Sequence, residues 1–229
     1  MNFYVRVAIF AIFLLAPVLV SGQNIAKDVV WEKGAVLVKP CDLRFSIPEK
    51  WAPAPKGVSN IPDNEGLMFG RLGVKDKQGH EIIPTLAMIW QRIDYVEMDA
   101  KKGQDVDPLF VYTMNKRPDA HSKDFNLERI FCWQDGPLTL RYASGWQYSV
   151  QFNGRPSKAI SVYTINKGKR LGIQILFEVP EDVWPELKNE VESILKSFTV
   201  TSTTSFGKRE AFLSIYKDGV IVLDFRDPK

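Results

Sequence analysis

Residues 159–198 read AISVYTINKGKRLGIQILFEVPEDVWPELKNEVESILKSF, and the change of hydrophobic period along this stretch decides the fold. Ala159–Ile165 and Arg170–Val179 are rich in β-branched and aromatic residues and read as strands. Asn166-Lys167-Gly168-Lys169 between them is too short for a crossover helix, so the two strands pair antiparallel, with Gly168 placed for a positive φ. From Val183 the period becomes helical. Trp184, Leu187, Val191, Ile194 and Phe198 recur at intervals of three and four with Leu195 beside them, while Glu186, Lys188, Glu190, Glu192 and Lys196 fill the other face. Asp182 is placed to cap the start, and Pro185 is tolerated in the first turn. A helix with one apolar stripe must lie on a flat apolar surface, and a sheet is the surface available.

Outward from this stretch the chain continues β-rich. Leu127–Trp133, Leu138–Ala143 and Trp146–Phe152 read as further strands, and Gly66–Val74 with Pro84–Ile93 as a hairpin around the polar Lys75–His80 turn. In the second arm Thr85, Ala87, Ile89 and Gln91 share one face, and Leu86, Met88, Trp90 and Arg92 the other. Ala35–Val38 and Leu43–Ile47 are short strands split by Pro40, and Trp51–Glu65, with its Ala-Pro-Ala-Pro run, reads as a loop. Asp107-Pro108 opens a second helix over Leu109–Lys116, since aspartate caps free N–H groups and proline suits the first helical position. The resulting expectation is an α+β fold: one antiparallel β-sheet flanked by helices on both faces, with an extra C-terminal β-hairpin. That hairpin, Ala211–Tyr216 and Val220–Phe225 across Lys217-Asp218-Gly219, follows a polar linker at Thr201–Ser205. Its arms are nearly continuously apolar, so each needs cover on both faces. Phe212, Ile215, Ile221 and Leu223 are therefore candidates for contact with a partner, unless the hairpin docks on its own sheet.

The first 22 residues have the layout of a signal peptide: Arg6, an apolar run from Val7 to Val20, then the small residues Ser21 and Gly22. The run is about 14 residues, against roughly 20 for a membrane span. Leu19-Val20-Ser21-Gly22 approaches a lipoprotein cleavage site, but Gln23 stands where the lipid-bearing cysteine belongs. The expected organisation is a signal peptide over 1–22, one domain over 23–200, and linker and hairpin over 201–229, in a secreted or periplasmic protein without a stable membrane anchor. Removing Arg6 from the 30 basic residues leaves 29 against 27 acidic ones, a formal charge of +2. So even a balance gives no electrostatic reason to expect nucleic acid as a partner. In an oxidising compartment the two cysteines, Cys41 and Cys132, permit one disulfide; the alternative is two separate buried thiols.

No catalytic or metal-binding constellation stands out. There is no Gly-x-Ser-x-Gly elbow, His-Glu-x-x-His, phosphate loop or dinucleotide fingerprint. The two histidines, His80 and His121, fall in polar loops, so neither a Cys132–His121 nucleophilic pair nor a zinc site is expected, and Asp105 with Asp107 lacks the other ligands of a calcium loop. No cofactor is expected. Trp90, Trp133, Trp146 and Trp184 fall within strands or the helix and read as core. Trp51, opening the proline-rich loop, is read either as a partner contact or as a plug at the end of the sheet.

Three phrases carry a family resemblance. Phe45-Ser46-Ile47-Pro48-Glu49-Lys50-Trp51 resembles the F-x-I-P-x-x-W phrase of bacterial members of the Mog1/PsbP-like superfamily. Ser161–Ile165 with Gly172–Phe177 resembles its closing strands. Val179-Pro180-Glu181 into Ile194-Leu195-Lys196-Ser197-Phe198 resembles its terminal helix, which ends in a Ser-Phe pair. The resemblance spans about Val36 to Phe198 and implies an α/β/α sandwich and a non-enzymatic role; the hairpin after it departs from the pattern. The functional expectation is a secreted accessory protein whose partner is another extracytoplasmic protein. A small-molecule or lipid carrier lined by Leu86, Met88 and Trp90, and a hydrolase with an unrecognised site, are the alternatives.

Overall fold

The computed structural model describes residues 29–54, 61, 65–92, 112, 116, 126–132, 143–152, 154–166, 168–201, 214–217 and 220–224. Their strands in chain order are β1 (Val29–Glu32), β2 (Ala35–Val38), β3 (Leu43–Ser46), β4 (Trp51–Pro53), β5 (Gly66–Arg71), β6 (Val74–Lys75), β7 (Glu81–Ile82), β8 (Thr85–Arg92), β9 (Asn126–Cys132), β10 (Ala143–Phe152), β11 (Arg155–Asn166) and β12 (Leu171–Pro180). After the helix α1 (Trp184–Ser197) come β13 (Thr199–Val200), β14 (Ser214–Lys217) and β15 (Val220–Asp224). Seven strands form one sheet in the order β4-β5-β8-β12-β11-β10-β9, and every neighbouring pair in it is antiparallel.

The period-2 pattern sets this register. Val162 pairs with Ile175 and Ile160 with Phe177, while Phe177 also faces Leu86 and Ile175 faces Met88. All six are buried in one core. Fully burying side chains of this size contributes roughly 1.5–3 kcal/mol each, which is why a slip of one residue is disfavoured. Gly145 on β10 is required by close approach: a Cβ there would lie 1.9 Å from the Ser161 carbonyl oxygen.

Among the described residues there is more than a single sheet, and no helix of several turns is described on the face of the large one away from α1. A second antiparallel sheet, β1-β2-β3-β13, shares with α1 the task of covering one face of the large sheet. Val36, Val38, Leu43 and Phe45 from the small sheet join Leu187, Val191, Ile194, Leu195 and Phe198 in that core. Among the described residues α1 is the one α-helix of several turns. The expected helix over 109–116 lies outside the described residues except for Tyr112 and Lys116, as does the expected strand over 138–142.

Smaller expectations are also revised. Trp51–Pro53, read as loop, is the edge strand β4, where proline costs no ladder bond. Positive φ in the β11–β12 turn falls on Arg170, at 54°, rather than on Gly168. Asp182 does not cap α1, whose preceding residue Val183 makes no side-chain capping bond. The C-terminal hairpin forms as β14 and β15, with Ile215 opposite Leu223 and Tyr216 opposite Ile221, in a two-stranded sheet of its own. The expected signal peptide over 1–22 lies outside the described residues.

The two ends of the resemblance meet in space. Phe45 and Phe198 stack with ring centroids 4.5 Å apart. Ser197 Oγ donates to the Ile194 carbonyl at 2.6 Å and accepts from the Ser46 backbone N–H at 2.9 Å. We expect Phe198→Ala to lose about 3–5 kcal/mol of unfolding free energy in urea denaturation. A double-mutant cycle with Phe45→Ala should show a coupling above about 0.5 kcal/mol; additive losses would count against the stack.

Candidate functional site

Among the described residues polar side chains converge at four places, each of which joins elements of the fold. At the first, Trp51 is 3% exposed and its ring meets Phe177 edge-on at 6.1 Å. Its indole N–H donates to Glu190 Oε1. Arg71 from β5 grips the same carboxylate through Nε at 2.7 Å and Nη2 at 3.3 Å. Glu190, placed by periodicity on the solvent face, thus ties α1 to the edge of the large sheet. Trp51 is accordingly the plug of the sheet end and not a partner contact, because its ring and its N–H are both committed inside the protein.

At the second, Asp76 in the β6–β7 turn is held by the N–H groups of Gln78 at 3.0 Å and His80 at 2.9 Å, and by Arg155 Nη2 at 3.0 Å. Burial alone would raise this carboxyl, but the His80 N–H, Arg155 and the Gln78 N–H outweigh it and hold it below the ordinary carboxylate value. His80 itself is exposed, as expected of a turn residue. At the third, Asn166 Nδ2 donates to the Cys41 carbonyl and to Asp42 Oδ2, both at 3.1 Å, and Lys169 Nζ reaches Asp42 Oδ1 at 2.7 Å. This fixes the turn after β2 against the end of β11.

The fourth is the one arrangement with a catalytic geometry. Lys158 Nζ lies 2.7 Å from Ser149 Oγ, which also stands 2.8 Å from Glu181 Oε1. Glu128 bonds both Lys158 and Ser149, and accepts from Gln147 Nε2 at 3.0 Å. A serine–lysine pair acts as a nucleophile only when the amine is free to take the proton. Burial favours the free amine here, but Glu128 and Glu181 outweigh it and hold the Lys158 ammonium above its ordinary value. Lys158 is therefore not a base for Ser149, and of the two carboxylates that reach its hydroxyl, Glu128 is itself held below its ordinary value by Lys158, Ser149 and Gln147 against the opposing effect of burial. Sequence reasoning missed this cluster because its members come from three strands and a turn; no motif links them.

The far side of the large sheet carries a second kind of polar group. Tyr148 Oη and Ser161 Oγ are 3.2 Å apart, and the Tyr163 hydroxyl donates to the Lys116 carbonyl at 3.1 Å. Tyr112 and Trp146 meet Tyr163 edge-on at 5.8 and 5.4 Å. Glu178 sits on β12 beside Thr85. Burial pushes its carboxyl up to about 7, against a smaller lowering from the Thr85 hydroxyl.

Cys41 is a free thiol, fully buried in the core on the α1 side, and burial pushes it far above its ordinary value despite nearby Lys169. Cys132 is in register with Ser144, and Ser144 with Tyr163 of the far-side cluster. Cys41 as a free thiol is the second of the two alternatives that the sequence left open. The other candidates scatter. Leu86, Met88 and Trp90, which a cavity would have needed, are core. Phe212 and His121 lie outside the described residues, and Ile215, Ile221 and Leu223 stand in the hairpin. Among the described residues no group of three or more His, Cys, Asp or Glu could hold a metal, and no helix is long and apolar enough to cross a membrane.

Neither a protein-family pattern nor any curated protein matches the chain. Solved structures do. The chain is similar to the Ran-binding protein Mog1p of Saccharomyces cerevisiae at 8% identity, over 76% of this chain and 97% of that one, with a TM-score of 0.46. It is similar to LpqN of Mycobacterium tuberculosis, described as involved in cell envelope biogenesis, at 14% identity over 70% and 83%, TM-score 0.48. The third is the cyanobacterial PsbP of Synechocystis sp. PCC 6803, at 18% identity over 80% and 98%, TM-score 0.45. No residue role passes from these structures to this chain.

Two outcomes follow from the buried groups. Cys41 should resist alkylation in the native protein and label at once in denaturant, read by intact mass; rapid native labelling at Cys41 would contradict its burial. Because the Glu178 carboxyl is raised from 4.5 to about 7 on folding, its contribution is present below about pH 4.5 and is lost as pH rises to 7. Urea unfolding should therefore show stability falling across that window, and Glu178→Gln should flatten the fall.

Proposed function

We propose that this chain is a non-enzymatic accessory protein acting outside the cytoplasm through protein–protein contacts, with the C-terminal hairpin as the contact. The observation that carries this reading is the hairpin itself. An isolated two-stranded hairpin is marginal in water, and β14 and β15 pair with each other in a sheet separate from the other three. Their sequences, SIYK and VIVLD, offer apolar residues in excess of what one pairing covers. Phe212, Ile215, Ile221 and Leu223 are the residues assigned to the partner. The protonation of Lys158 supports the non-enzymatic side of the reading. The apolar run over residues 7–20 behind Arg6 supports export.

The runner-up is a carrier of a small molecule or lipid. Its weakness is that Leu86 and Met88 are completely buried against α1 and the small sheet, so the lining it needs is already packed. A hydrolase centred on Ser149 would need a free amine at Lys158, which Glu128 and Glu181 keep protonated.

The test is affinity purification of the tagged protein from the native extracytoplasmic fraction, comparing the full chain with one ending at Thr204. The described core clusters lie between Val29 and Val200, so the shortened chain keeps every residue of those clusters. A stoichiometric partner that is lost on truncation is the expected result. A partner held equally by both forms would move the contact to the body of the protein. Capture of nothing by either form would overturn the accessory reading.

A further inference from the structure

The far face of the large sheet is covered from two sides, with a seam between. Ile61, Met68 and Ala87 cluster over β5 and β8. Tyr112, Trp146, Tyr148 and Tyr163 cluster over β10 and β11. Leu176, on β12 between them, packs against both clusters. On its α1 side β12 offers Ile173, Ile175, Phe177 and Val179, all fully buried. On the far side Gln174, Leu176 and Glu178 each stay partly exposed; of their cross-strand neighbours, Thr85, Ala87, Ala159, Ser161 and Tyr163 are buried, and Ile89, opposite Gln174, is partly exposed too. The seam is therefore narrow, runs along one strand, and has an apolar middle with a carboxyl at one end.

That carboxyl lacks a cation among the described residues set beside it. Its register neighbours are Thr85 and Ala159, and Tyr148 follows across β10. Lys116, the basic residue placed on this face, donates instead to Gln91 Oε1 at 3.3 Å. We propose that the β12 seam binds a basic side chain of a partner polypeptide, its cationic head on Glu178 and an adjacent apolar side chain on Leu176. This rests on the reading of the chain as a protein-binding module. A carboxyl that is only partly exposed binds a cation more strongly than one fully in solvent, because less water competes for it. Ile61 and Met68 on one wall and Tyr148 on the other give the alkyl stem of an arginine or lysine an apolar channel.

Two peptide probes test it: acetyl-Leu-Arg-Leu-amide, and the same peptide with citrulline in place of arginine, which keeps the shape and removes the charge. Binding is read from the Leu176 methyl resonances. The arginine peptide should shift them saturably, bind about tenfold more tightly than the citrulline peptide, and lower the apparent pKa of Glu178. Glu178→Gln should reduce arginine-peptide binding to the citrulline level while leaving citrulline-peptide binding as it was. Equal binding of the two peptides by the native chain, no shift of Leu176 by either, or a Glu178→Gln chain that still prefers arginine would overturn the seam. A native partner captured equally by the native and Glu178→Gln chains would leave the accessory reading standing while this inference falls.

Discussion

The stack of Phe45 on Phe198 is the contact that the rest of the structure depends on. The two rings come from strands and helix that lie more than 150 residues apart in the chain, and Ser197 reaches from the helix end to the Ser46 backbone beside them. Immediately after Phe198 the chain pairs Thr199 and Val200 with Arg44 and Leu43. The helix, the small sheet and the edge strand are thereby joined into one lid over the large sheet, and the lid is pinned a second time where Arg71 and Trp51 share the Glu190 carboxylate. A partly buried pair of this kind makes its partners interdependent: removing Glu190 leaves an uncompensated guanidinium at the sheet edge.

This arrangement explains what was legible in the sequence and what was not. Long strands with period-2 alternation and a helix with a single apolar stripe were readable because their burial is dictated by their own pattern; β8, β11, β12 and α1 are where the residues place them. The small sheet was not readable as a separate layer. Val29–Glu32 and Thr199–Val200 are too short to show a period, and only tertiary pairing makes them strands. Trp51 was ambiguous because its position after a proline says nothing of Glu190, which sits 139 residues away. The same distance hid the role of Glu190, which periodicity puts on the solvent face. The Cys41–Cys132 pairing was undecidable from spacing alone, since spacing does not tell which side of a sheet each cysteine serves.

The residues that carry the family resemblance turn out to be architectural. Phe45 and Trp51 of the early phrase, with Ser197 and Phe198 of the late one, touch each other or the core and no open site. A resemblance built on such residues speaks for a scaffold and leaves activity to what is added to it. In this chain the additions are the terminal hairpin and the partly open row of Gln174, Leu176 and Glu178. The remaining polar clusters, around Asp76, Asn166 and Lys158, hold turns and strands in place or neutralise one another, and none presents an activated nucleophile.

Native-state hydrogen exchange tests the central claim most directly, that the helix and the small sheet close the large sheet as one cooperative unit. If they do, the amides of Val191, Ile194 and Leu195 in α1 and of Leu37 and Phe45 in the small sheet exchange with the same opening free energy as those of Val162 and Ile175 at the centre of the large sheet. If α1 opens alone at a clearly lower free energy while the small sheet stays protected, the Phe45–Phe198 clasp does not govern the fold and the account is wrong.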